Sequence, residues 1–262
     1  MRYMLHAMRL NLRSAAQYRA SFLMATASQL VMTLGDLIAV LVLMERFTGV
    51  GQWLPGEILF FFGMMQVCFA LVDFLARGIT SFPPLVASGR FDAMLLRPRR
   101  LLAQVAFSEM DPRRLGILLV GGAAMLMGSA QLRLAWTAAD ILLLTVAVAG
   151  SFLLITGLFL IEATVSFFSV RSIEMVNVVT YGGRTACQYP VDIYPAPLKT
   201  LFMYVAPFGL CMHLPVSFLL GKPLLDCPRW AAYLAPLTGA AFFLIMTLVW
   251  RVGVRHYRST GS

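Results

Sequence analysis

Five long apolar runs divide this chain: residues 21–44, 57–79, 115–131, 139–168 and 229–250. A helix rises about 1.5 Å per residue, so the 24 residues of the first run reach ~36 Å. That crosses a hydrocarbon core of ~30 Å with room for tilt. Charge is scarce, at 13% of residues against 60% hydrophobic; a soluble domain carries about 25% charged residues. The mean hydropathy is +0.79. A chain so poor in charge cannot cover a globular surface with polar groups. The expected class is an all-α polytopic membrane protein, with 1–262 as a single transmembrane domain of about six transmembrane helices.

Between the runs lie passages of distinct character. Residues 1–20 carry Arg2, Arg9, Arg13 and Arg19 and no acid, with Leu5, Met8, Leu12 and Ala16 at helical spacing. This predicts an amphipathic helix on an anionic membrane surface, with membrane lipid as its partner. The basic residues extend to Arg19 and the first run is too long for a signal-peptide core, so it is expected to stay as the first span. Residues 45–56 read as a short external turn with Trp53 at an interface-like position, and Trp136 is expected to anchor the turn at 132–138. The third run is rich in glycine (Gly116, Gly121, Gly122 and Gly128), which lets helices approach closely in lipid.

Residues 80–114 form the most polar loop, and from Arg77 to Arg114 there are seven arginines. Pro83-Pro84 is expected to end the second helix and Asp111-Pro112 to start the third. Within the loop, Gly89 and Pro98 bracket a short helix with Asp92 in its first turn. Phe91, Met94 and Leu95 make one apolar face, and Arg90, Arg97, Arg99 and Arg100 surround it. One reading is an amphipathic helix offered to a partner; the other is a solvated loop obeying the positive-inside rule.

Residues 172–188 are ambiguous, because Glu174, Asn177 and Arg184 make a poor span. Residues 189–228 hold seven prolines, and the apolar pieces between them are short. That pattern suggests re-entrant or interfacial helices; a cytoplasmic helix followed by one span at 198–220 is the alternative. Fifteen of the 21 basic residues fall in four places: residues 1–20, the 77–114 loop, Arg171 and the tail after 250. This asymmetry places both termini in the cytoplasm. The net charge of +9 is therefore read as topology, and no nucleic-acid partner is inferred from it.

Catalytic and metal motifs are missing. The stretch Leu219-Leu220-Gly221-Lys222-Pro223 lacks the first Gly and the hydroxyl of a phosphate-binding loop, so this chain is not expected to bind or hydrolyse ATP. Cys68, Cys187, Cys211 and Cys227 show no metal spacing, although Cys211 and Cys227 could form an external disulfide. Asp36, Asp73 and Glu162 lie within or near apolar runs, where an ionisable group costs at least a few kcal/mol. They are candidates for a route taken by a polar or cationic substrate; helix pairing is the plainer reading.

Two motifs go further. Gly89-Arg90-Phe91-Asp92, followed by Leu95-Leu96-Arg97-Pro98, resembles the Gly-x-(Leu/Phe)-Asp-x-x-Leu-Leu-Arg-Pro signature of type 2 ABC transporter permeases, in the bacterial export branch of about 260 residues. Tyr189-Pro190-Val191-Asp192-Ile193-Tyr194-Pro195, with Pro207 and Pro215 beyond it, resembles the same family's approach to its external re-entrant helices. The resemblance implies a coupling helix at 88–98 that docks on a separate ATP-binding subunit, a fifth span at 172–188 and re-entrant helices at 196–220. It also implies a second permease, identical or related, and a bacterial inner (plasma) membrane location. No cofactor is expected in this chain, since ATP and Mg would sit on the partner. On this reading Phe91 and Leu95 are the anchors on the ATP-binding subunit, Arg90 and Arg97 are polar contacts, and Pro98 stops the helix.

Overall fold

The computed structural model describes residues 19–46, 51–168, 173–223 and 227–257. The helix expected over residues 1–20 therefore lies outside the described residues except for its last two. Among the described residues there is helix and no strand. Five helices among these residues are long and apolar enough to cross a membrane. They are α1 (Arg19–Arg46), α2 (Pro55–Leu75), α7 (Arg114–Gln131), α8 (Ala138–Val165) and α13 (Leu237–His256), the last extended by the short α12 (Ala231–Leu234).

The centre is α2, whose side chains are buried along nearly its whole length. Its largest contact is with α7, and the second large helix pair is α8 with α13. Both pairs touch backbone to backbone. A Cβ on Gly63 of α2 would sit 2.5 Å from the carbonyl oxygen of Gly121 on α7, and one on Gly128 would sit 2.5 Å from that of Gly56. Gly239 of α13 meets the Gly150 carbonyl of α8 in the same way. In lipid there is no hydrophobic drive between helices, so close packing of small residues supplies the association. α1 packs on α7 and α2 but exposes Leu23, Met24, Val31, Met32 and Ile38, an apolar surface of the kind lipid covers.

The second helix ends at Leu75, earlier than expected, and Pro83-Pro84 does not end it. Three short helices follow: α3 (Arg77–Thr80), α4 (Phe82–Ala87) and, after Gly89, α5 (Arg90–Leu95). Pro83 and Pro84 lie in the first turn of α4, where a missing N–H leaves no hydrogen bond unmade. The break at Ala76 turns α3 so that Gly78 presses on the Val105 carbonyl of α6 (Leu101–Ala106).

The ambiguous stretch forms α9 (Ile173–Ala186), 14 residues long, or ~21 Å, which is short of a full crossing. Beyond it come a 3-10 turn (Val191–Ile193) and α10 (Ala196–Thr200). Two wide-turn segments follow, Leu201–Val205 and Gly209–His213, and then α11 (Leu214–Leu219). The pieces 196–205 and 209–219 are bent by 82° around Pro207, giving a broken span or a re-entrant loop. A single span at 198–220 would therefore be a broken one, bent at Pro207. No disulfide forms either: Cys211 and Cys227 are both free, and Cys211 is buried with its sulfur 3.4 Å from the Thr238 hydroxyl.

Adding one methyl at the central contact should be felt. Gly63→Ala is expected to destabilise by about 1–3 kcal/mol through overpacking. Gly122→Ala, where nothing lies within 4 Å, should be neutral or mildly stabilising. Thermal unfolding of the two variants in one detergent checks this.

Candidate functional site

The basic end of the bundle is built from α3 to α6. Gly89 caps α5 with φ of +67°, in the left-handed region that favours glycine. The next turn points Phe91 inward. The sequence reading made Phe91 a contact for a partner, and the structure corrects this: Phe91 is 0% exposed. Its ring sits 5.1 Å from Phe82, 5.4 Å from Phe167 and 5.1 Å from Tyr257, with Trp250 at 6.3 Å. The apolar face of so short a helix covers only one or two side chains, and here the bundle takes the first of them. Burial, and then the nearby Asp92 carboxylate, push the Tyr257 phenol up. Arg90 pairs with Glu109 at 3.3 Å, and Glu109 also accepts from the Ser81 hydroxyl at 2.9 Å.

What α5 leaves outside is Leu95, 42% exposed, and Leu96, 87% exposed. Arg97, Pro98, Arg99 and Arg100 follow, all on the surface. The helix ends at Leu95, and the residue before Pro98 is biased away from helical geometry. The result is an apolar step flanked by guanidinium groups, fixed from behind by an aromatic cluster.

Beside it, Asp73 does not stand open to a route. Its two oxygens lie 3.2 Å from Arg77 and 3.4 Å from Arg114. Arg114 also reaches Asp111 at 3.5 Å and Gln29 of α1 at 3.4 Å. Burial alone would raise the Asp111 carboxyl, but its hydrogen bond from Arg113 and the charges of Arg113, Arg114 and Arg77 hold it below its ordinary value. Of the other two acids, Asp36 is exposed on α1 and Glu162 is buried on α8, with Oε2 lacking a partner among the described residues. The three acids lie on three different helices and, among the described residues, form no group that could hold a metal ion.

The opposite end is tied across the chain. Asp192 accepts from the Trp53 indole N–H at 2.8 Å and from the Gln52 amide at 2.9 Å. Lys222 pairs with Glu57 at 3.0 Å and donates to the Gln52 carbonyl at 2.7 Å. His213, stacked on Phe61, accepts from the Val191 N–H at 3.3 Å. Trp53 is thus no interface anchor but a buried donor; Trp136, 38% exposed, does stay at the surface. In the second motif, Pro190 is buried, Tyr189 is half-buried, and the Tyr194 hydroxyl donates to the Ala186 carbonyl at 2.8 Å. Burial pushes the Tyr194 phenol up to about 12. Pro207 sits at the bend and Pro215 in the first turn of α11. None of the pairings of Gln52, Trp53 and Glu57 with Asp192 and Lys222 had a sequence signal, because the partners are more than a hundred residues apart.

The sequence model of the ABC-2 family transporter proteins matches residues 30–261. The chain belongs to the ABC-2 family. It is therefore the membrane permease component of an ABC transporter and works with an ATP-binding cassette subunit. No curated protein and no solved structure is similar enough to match.

Two outcomes follow for the basic end of this permease. Phe91→Ala should cost about 3–5 kcal/mol, as for a buried Phe, and lower the unfolding temperature, whereas Leu96→Ala should leave it unchanged. The folded Asp111 carboxyl binds its proton less tightly than the unfolded one. Its contribution to stability is therefore complete above about pH 4 and falls away as pH drops through the depressed folded value. An Asp111→Asn variant should unfold with a shallower acid dependence below that pH.

Proposed function

We propose that this chain is the permease of an ATP-driven bacterial exporter, in which two such subunits, identical or related, move a substrate between them by alternating access. The observation that carries the reading is the build of α5. Phe91 fixes it to the bundle, while Leu95 and Leu96 face outward among arginines. A push on the outer face passes through the Phe91 ring to Phe82 of α4, to Phe167 beyond α8 and to Trp250 of α13. Rings in edge contact at ~5 Å are close-packed and resist independent movement. A closing ATP-binding dimer, carrying ATP and Mg, would thus move α8 and α13 together. Leu96 takes the place of Phe91 beside Leu95 as the outward anchors, with Arg97 as the polar contact and Pro98 fixing where the helix stops.

In this arrangement the chain lies in the bacterial inner membrane with both termini in the cytoplasm, the side on which the arginine-rich loop belongs. Residues 196–219 form the external re-entrant helices, and α9 stands in place of the fifth span. The substrate is an amphiphilic, lipid-like or cationic small molecule. The pairing of Asp73 with two arginines weakens the case for a cation. The competing function is a passive channel or membrane assembly scaffold without an ATPase partner, and it predicts no stimulated ATPase at all.

Purification of the tagged chain from its native membrane should yield a subunit with phosphate-binding-loop motifs in stoichiometric amount. Leu96→Glu should lower stimulated ATPase activity at least about tenfold, a loss of roughly 1.4 kcal/mol of coupling, while the permease still inserts and folds. Wild-type activity in that variant would refute the docking role of α5, and absence of any ATPase partner would refute the exporter.

A further inference from the structure

Arg184 of α9 is a cation with no acid in direct contact: the charges of Asp73 and Asp36 reach it only from farther away, and Asp73 is already paired with Arg77 and Arg114. Arg184 is only partly exposed. Among the described residues no carboxylate lies within 4.0 Å of it. It makes a 2.9 Å hydrogen bond from Nη2 to the Gln66 side-chain oxygen and lies over the face of Phe69, 5.3 Å away. Gln66 is the twelfth of the 21 residues of α2, so the contact is at the helix's mid-point. The position is fixed: Gly183 packs against the Phe208 ring, which stacks on Phe69 at 6.5 Å.

The hydrogen-bond inventory is lopsided. A guanidinium offers five N–H donors in a planar fork and no acceptor. One of these meets Gln66. Beside it the Gln66 amide nitrogen, in a side chain 0% exposed, is buried and has no partner among the described residues. Arg184 itself is partly exposed, so it can offer unused donors at accessible surface. A guanidinium with donors to spare complements an acceptor-rich anion. Arginine binds carboxylate and phosphate in bidentate fashion, and it does so more strongly where water is scarce. An ionisable group at this depth is expected to line a pathway or meet a partner.

We propose that Arg184, held in place by Gln66 and Phe69, is an anion-recognition point at mid-depth, which binds the phosphate or carboxylate head of an amphiphilic anion. This rests on the exporter reading for its place on a transport route, and it selects the anionic members of the amphiphilic class.

The test uses the detergent-solubilised complex and a matched pair of probes, dodecyl phosphate and dodecyltrimethylammonium, with binding followed by calorimetry. The wild type should prefer the phosphate at least tenfold. Arg184→Gln should abolish that preference, and Arg184→Lys should keep part of it. Gln66→Glu places a carboxylate against the guanidinium and fills its donors from within. It should remove phosphate binding without loss of thermal stability, which separates the proposal from simple misfolding. Displacement of the probe by phosphatidylglycerol but not by inorganic phosphate identifies a lipid anion, and displacement by inorganic phosphate identifies a free one. Equal affinity for the two probes, or an unchanged preference in Arg184→Gln and Gln66→Glu, overturns the proposal. Binding is read without ATP, so loss of the ATPase partner would defeat the exporter reading alone.

Discussion

Everything in this bundle depends on how closely α2 and α7 approach. At Gly63 and Gly121 two backbones meet with no side chain between them. In lipid, a pair of apolar helices gains nothing by hiding from its surroundings, so contact must come from shape. That contact makes α2 the buried axis, and the helix then carries a polar contact at each end and one in the middle. Glu57 lies at one end, Gln66 in the middle and Asp73 at the other end. Each binds a cation from a distant part of the chain: Lys222, Arg184 and Arg114 respectively. A shift of α2 would disturb both ends and the middle at once.

The two ends are built differently. The basic end is held by rings and charge pairs around α5, and it presents a stiff apolar step to the outside. The other end is held by single hydrogen bonds and one ion pair between the segment starting α2 and the bent Pro-rich region. The wide-turn segments and the 82° bend at Pro207 leave backbone groups outside regular pairing. Such geometry is tolerated at membrane depth only where protein or water covers it.

Much of this was legible in the chain. Long apolar runs announce spans because the bilayer leaves the backbone no other option. The signature from Gly89 to Pro98 announces a short helix because glycine and proline punctuate it. Two readings failed for one reason. Phe91 and Trp53 were placed at surfaces from their local setting, but each is a large apolar side chain with a deep site elsewhere. Phe91 goes into a ring cluster drawn from α4, α13 and the segment beyond α8, and Trp53 donates to Asp192. Local periodicity reports which residues share a face; it cannot report which other element will cover that face.

The amino-acid sequence by itself determined the class, the spans, the family signature and the basic loop, because these follow from hydropathy, length and short-range spacing. Only the tertiary structure decided the inward aim of Phe91, the outward pair Leu95 and Leu96, the arginines that take up Asp73, and the meeting of Arg184 with Gln66. These are contacts between residues tens to over a hundred positions apart. They are fixed by how helices pack, and no local pattern encodes that packing.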